Sequence, residues 1–141
     1  MRKYLLVFSS LLSLTILITI SSCQNDKQIE FNRYFSAGSA VYQNHCQNCH
    51  GAKGEGLKGL IPPLTDSAWL KTNKATLACS VKNGLKGNIT ISNKQYGGEM
   101  PATDLSPLEV AQVITYVTNS FGNKIETTTT EDVDAALLKC R

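Results

Sequence analysis

Two cysteines separated by two residues, with a histidine directly behind them, constrain this chain more than any other feature: Cys46-Gln47-Asn48-Cys49-His50. C-x-x-C-H is the attachment signature of c-type haem. The two thiols add to the two vinyl groups of one haem as thioethers, and His50 is then held beneath the iron. Three other uses of the pattern fit less well. A zinc site wants a second ligand pair at comparable spacing, but the only other histidine is His45, and Cys79 and Cys140 stand isolated. A thioredoxin-like dithiol needs a strand before the motif, whereas the preceding residues have helical spacing. A disulfide between Cys46 and Cys49 closes a very tight loop and leaves His50 without a role.

A chain of 141 residues, 42% hydrophobic and 7% aromatic, has room for one modest domain and not for a large multidomain enzyme. Its N-terminus takes some of that length. Arg2 and Lys3 precede an apolar run from Tyr4 to Ile20, the pattern of a secretory signal. A transmembrane helix wants roughly 20 predominantly apolar residues. This run is shorter and is interrupted by Ser9, Ser10, Ser13, Thr15 and Thr19. It ends in Ile20-Ser21-Ser22-Cys23, which resembles the bacterial lipobox, in which the cysteine is acylated and becomes the new N-terminus. Each buried CH₂ contributes only about 0.8 kcal/mol, so the several chains of a lipoprotein are what make such an anchor stable. An uncleaved signal anchor, or ordinary cleavage nearby, is the other reading of so short a pattern. Either way the domain lies outside the cytoplasm, on the periplasmic side of a bacterial membrane, where haem attachment takes place. Losing Arg2 and Lys3 with the signal also removes two of the three net positive charges.

A second axial ligand decides what the iron can do. With Met1 gone in the signal, Met100 is the single methionine, in Tyr96-Gly97-Gly98-Glu99-Met100-Pro101-Ala102. The glycines permit a bent backbone close to the haem face, and Pro101 stiffens the exit. A lone methionine is often core filler, but its surroundings and its placement well after the haem motif favour a ligand. His45 is the other candidate, yet it abuts Cys46 and has difficulty reaching the opposite face. A thioether favours ferrous over ferric iron, so His/Met ligation raises the potential and closes both axial positions.

At this point the chain resembles the class I cytochromes c, particularly the short bacterial monohaem domains. The resemblance covers roughly residues 35–123. It rests on Ala40-Val41-Tyr42, Cys46 to Gly51, Ile61-Pro62-Pro63-Leu64, Val81 to Gly87, Gly98 to Ala102 and a final helix ending at Phe121-Gly122-Asn123. It implies an all-α fold around one covalently attached haem c, held by Cys46, Cys49, His50 and Met100. It also implies that Pro62 lends its carbonyl to the far ring nitrogen of His50, which orients the imidazole and raises its basicity. Trp69 resembles an aromatic that contacts a haem propionate in some members, and it suits plain packing equally well. Residues 63–74 match no pattern.

The helices can also be read directly. Phe31, Phe35, Gly38, Val41, Tyr42 and Cys46 recur at helical spacing, predicting a helix over 33–46. Gly38 interrupts its apolar face, and a mid-helix glycine suggests close approach of another element. The resemblance supplies the last helix, with Tyr116 over Gly38. That helix opens on a capping box, Ser106-Pro107-Leu108-Glu109, and carries Val110, Val113, Ile114, Val117 and Phe121 on one stripe, with Gly122 to close it. Another helix is expected over 73–83, ended by Gly84. Strand-like alternation is confined to Asn88 to Ser92, too little for a sheet. Domains this small bury only about 60% of their unfolded surface, so a porphyrin supplies much of the missing interior.

One cysteine for lipid and two for haem leave Cys79 and Cys140, an even pair in an oxidising compartment, from which a disulfide is expected. Two unpaired thiols are the alternative. The bridge would pin a tail in which Thr127 to Thr130 link to a short helix over 131–139, with Val133, Leu137 and Leu138 facing inward. The organisation is then a signal peptide at 1–22, a tether at 23–32, the haem domain at 33–123 and a stapled extension at 124–141.

Charge is uneven: lysines dominate Lys53 to Lys94, and acids dominate from Tyr96 onward. Lysines around the haem could dock an acidic redox partner and speed association, or simply solvate the surface. No basic cluster with interleaved aromatics suggests nucleic acid. The expected role is that of a membrane-tethered electron carrier in a respiratory chain, not of an enzyme in its own right. A small-ligand sensor or catalytic module in which Met100 dissociates, and a haem subunit of a larger oxidoreductase, are the alternatives. A dihaem peroxidase is excluded for this chain, which has one C-x-x-C-H.

Overall fold

The computed structural model describes residues 2–140, without the side chains of Arg2, Leu5 and residues 14–25. Cys23 and the expected lipidation therefore lie outside the described side chains. The chain divides into two units, Met1–Asn32 and Arg33–Arg141. In the first, the backbone belongs to α1 (Arg2–His45), and Tyr4, Leu6 and Phe8 are exposed. Residues 24–32, expected as a tether, are helical: they contain neither proline nor glycine to stop a helix. Among the described residues no helix is long and apolar enough to cross a membrane.

The second unit is built from helices. After α1 come α2 (Gln47–His50), α3 (Ser67–Thr72), α4 (Lys74–Asn83), α5 (Pro107–Val117) and α6 (Thr130–Leu137), with β1 (Ile89–Ile91) and β2 (Lys94–Tyr96) between α4 and α5. The fold is all-α apart from that hairpin. The strand alternation at 89–91 does find a partner. Ile89 pairs with Tyr96 and Ile91 with Lys94 across a two-residue turn in which Ser92 and Asn93 both have positive φ, the geometry that matches strand twist. Its buried side, Ile91 and Tyr96, faces inward.

α5 is the centre of the unit. Ser106 accepts from the Glu109 amide and Glu109 reaches back to the Ser106 amide, completing the capping box with Pro107 in the first turn. Val110, Ala111 and Ile114 pack with Ala78 of α4, Leu105 and Val133 of α6 in one core cluster. The helix stops at Val117, one turn before the expected end. The Asn119 side chain takes the Thr115 carbonyl, the Asn123 side chain takes that of Val117, and Phe121 turns to φ 58°. These short amides compete with the next helical turn for the same acceptors. Phe121 still packs where the stripe places it, its ring 5.3 Å from that of Tyr42 and 5.8 Å from that of Tyr116.

Gly38 of α1 lies against α5. A Cβ built there would stand 2.0 Å from the Gln112 carbonyl oxygen and 2.9 Å from the Tyr116 Cβ, so the two helices meet at a point only glycine fits.

The tail is fixed to the rest of the unit by hydrogen bonds, burial and a covalent bridge. The Thr115 hydroxyl donates to the Thr128 carbonyl at 3.1 Å and accepts from the Thr128 amide at 3.0 Å. Val133 is wholly buried, while Leu138 is exposed, contrary to its expected inward direction. Cys79 and Cys140 are joined by a disulfide across 61 residues of chain. Closing a loop of that length restricts the unfolded chain, so Cys79→Ser/Cys140→Ser is expected to lower stability by about 2–4 kcal/mol in denaturant unfolding. Two free thiols in the denatured, unreduced protein would contradict the bridge.

Candidate haem site

The C-x-x-C-H segment follows α1 after a single turn residue, Cys46. The Cys46 amide donates to the Tyr42 carbonyl, and the His50 amide to that of Cys46, both at 2.9 Å, so the motif forms a single helical turn. Tyr42, 1% exposed, fixes the end of this turn by donating its hydroxyl to the Gly51 carbonyl at 2.7 Å. Burial, with Cys46, Tyr116 and Glu55 nearby, raises the Tyr42 pKa and keeps that hydroxyl protonated. Sequence reasoning placed Tyr42 on the apolar face but did not assign it this bond.

His50 Nδ1 lies 3.1 Å from the Pro62 carbonyl. A carbonyl can only accept, so Nδ1 carries the proton and Nε2 keeps its lone pair. Burial lowers the His50 pKa, against an opposing effect of the Pro62 bond, which favours the neutral imidazole a metal needs. Cys46 and Cys49 are both free thiols. Burial, then the neighbouring Cys49, pushes Cys46 up to about 11, unlike the depressed thiol of a dithiol redox site.

Met100 is presented by a different segment. It pairs with Leu85, just after α4, through two backbone bonds of 2.9 and 3.0 Å. Gly84 ends α4 at φ 74°, and a Cβ there would come within 2.3 Å of the Met100 carbonyl oxygen. The following residues stay on α4: Thr103 donates its hydroxyl to the Val81 carbonyl, and Lys82 its ammonium to that of Leu105.

Cys46, Cys49, His50 and Met100 all line one cavity of about 150 Å³. Its walls are almost wholly apolar: Leu77 and Val81 from α4, Leu85, and Val113, Ile114 and Val117 from α5. His45 and Trp69 also border it. An apolar cavity with two thiols, an imidazole lone pair and a thioether at its border suits a flat hydrophobic macrocycle bonded at its edge. The donor set therefore fits haem c.

The wall that matched no pattern contains α3. Asp66 caps it, accepting from the Trp69 amide at 2.9 Å and from the Ser92 hydroxyl; those bonds, the Ser92 one foremost, hold its carboxyl below the ordinary range. The signal for this helix was present, an Asp N-cap followed by Ser-Ala-Trp-Leu. The bonding role of Asn123 was also missed. Nearly buried, it donates to the Leu64 carbonyl at 2.7 Å and accepts from the Ser67 hydroxyl at 2.6 Å, tying the end of α5 to the start of α3.

A family model described as cytochrome c matches residues 35–120. A cbb3-type cytochrome c oxidase subunit CcoP of Rhodobacter capsulatus is 34% identical over 92 residues, 62% of this chain and 30% of that protein. The subunit of the same name from Cereibacter sphaeroides is 32% identical over 107 residues, 72% of this chain and 33% of that protein. The chain spans about a third of the length of the curated relatives it matches.

Proposed function

The chain belongs to the cytochrome c family, whose members bind haem c covalently, and from that premise we propose that it is a one-electron carrier of a respiratory chain with His50 and Met100 as its two axial ligands. The observation that carries the reading is that His50, its Nδ1 engaged by Pro62, and Met100 line the same apolar cavity as the two free cysteines. Haem c supplies the one-electron couple. Cys46 and Cys49 would hold it by thioethers, and the Pro62 carbonyl keeps the His50 ring in one orientation. Leu77, Val81, Val113 and Val117 exclude water, which limits reorganisation between oxidised and reduced forms. His50 and Met100, both on braced backbone, would hold the haem iron, which would supply one-electron transfer without bonds being made or broken.

A redox titration is expected to give a single one-electron transition, and the reduced protein is expected not to bind CO at ordinary concentrations. Ready CO binding would favour the ligand-sensing or catalytic alternative.

The apolar run after Arg2 and Lys3, and the lipobox-like Ile20-Ser21-Ser22-Cys23, support export and a lipid anchor on Cys23 at the periplasmic side of the membrane. Mass spectrometry of the mature protein is expected to find an acylated Cys23 at the N-terminus, and an unmodified end elsewhere would contradict it. Exposed Lys53, Lys58, Lys86 and Lys94 support docking of an acidic redox partner. Lys86 pairs with Glu99 at 3.7 Å, both exposed, so this contact takes little from that charge. Similarity to subunits named for cbb3-type oxidase favours a second reading, a haem-bearing component of an oxidase complex, which co-purification would detect.

A further inference from the structure

The segment that orients His50 and the segment that presents Met100 touch each other directly. Before Pro62, Leu57 and Ile61 exchange backbone bonds of 2.9 and 2.8 Å, closing a tight loop with Leu60 at its turn. The Leu60 carbonyl accepts from the Gly98 amide at 2.9 Å, and the Gly59 carbonyl accepts from Gly97 at 3.3 Å. Leu60 stands two residues before the carbonyl that holds His50, and Gly98 two residues before Met100. A second cavity, of about 60 Å³, is bordered by both segments: Leu60 and Pro62 on one side, Gly98 and Met100 on the other, with His50.

Side-chain packing does not account for this contact. Leu57 and Leu60 are each 53% exposed, so the loop is held by its backbone bonds. Gly98 has no positive φ, yet its Cβ would lie 2.4 Å from the Leu60 carbonyl oxygen. Glycine is needed there for the approach itself and not for an unusual backbone angle. We propose that Leu60 and Gly98 are positioning residues for both axial ligands: their backbone hydrogen bond is a strut that ties the His50 loop to the Met100 loop, so that displacing one loosens the other. The inference rests on His50 and Met100 ligation. Coupling of this kind acts in both directions. The Leu85 bonds hold Met100 to α4 on its other flank, so loss of the strut frees the ligand segment on one side without detaching it.

The test uses the haem-loaded ferric protein and exogenous imidazole, which competes with the thioether. Gly98→Ala forces a Cβ against rigid backbone, and it is expected to bind imidazole roughly tenfold more tightly than wild type. The His50 Nδ1 proton resonance is expected to shift in the same variant, although the substitution lies on the other loop. Cys79→Ser/Cys140→Ser, destabilised away from the strut, is expected to keep wild-type imidazole affinity. Wild-type affinity and an unshifted His50 resonance in Gly98→Ala would overturn the strut while leaving ligation intact. Absence of the weak red sulfur-to-iron band from the wild type would overturn ligation and the strut together. If Gly98→Ala does not take up haem, amide exchange in the wild-type holoprotein decides. A Gly98 amide protected as strongly as that of Met100 upholds the strut, and one exchanging like an open loop overturns it.

Discussion

Gly38→Ala is expected to destabilise the domain by about 2–3 kcal/mol, although alanine is the better helix former by roughly 1 kcal/mol. The added methyl would lie 2.0 Å from the Gln112 carbonyl oxygen and 2.6 Å from its carbon. Both are backbone atoms of α5, which cannot swing aside as a side chain would. Relief needs a helix displacement of about an ångström, and α5 is packed on several sides. It meets Ala78 and Val133 in the core cluster, and Val113 and Val117 line the haem cavity. Tyr116, whose Cβ is the third atom in the way, sits between Phe35 at 5.2 Å and Tyr42 at 5.4 Å by ring centroids. Thermal or denaturant unfolding of the haem-loaded variant measures the loss. Stability equal to or above wild type would mean that α1 and α5 do not cross at Gly38.

Met100→Ala is expected to abolish the weak red sulfur-to-ferric-iron band completely, to lower the reduction potential and to let the ferrous protein bind CO. The fold should survive, because Met100 is held by backbone bonds to Leu85 that alanine also makes. The side chain is only half-buried, so its packing loss is modest beside its electronic role. Loss of a thioether removes the ligand that favours ferrous iron, which sets the sign of the potential change. Retention of the band, or a potential unchanged from wild type, would show that another residue fills the position.

What was legible in the sequence was mostly local. The Ser106 to Glu109 capping box and the turn of Cys46 to His50 each depend on neighbours within four residues, and local hydrogen bonding decides them. Gly38 was informative for a different reason: a glycine on an apolar helical face has little use other than close approach. The pairing of Pro62 with His50 came through family resemblance, and no spacing rule would give it. Part of what escaped reading depends on contacts between distant segments, and part on exposed positions that leave no pattern. Lys94 and Gln95 are exposed, so β2 has one buried residue and no alternation to detect. The early end of α5 follows from Asn119 and Asn123, and the Asn123 side chain also reaches Leu64, 59 residues away. The Leu60 to Gly98 bond joins backbone atoms, which leave no mark on side-chain pattern.

Ligation of the haem by His50 on one side and Met100 on the other is read out by the proton NMR spectrum of the ferrous wild-type domain. Apart from Met1, Met100 is the single methionine of the sequence, so its methyl is the one a haem ring current could shift. One sharp three-proton line is expected, shifted far upfield by the haem ring current and absent from Met100→Ala. A wild-type spectrum without that line would place Met100 away from the iron and contradict the electron-carrier reading built on it.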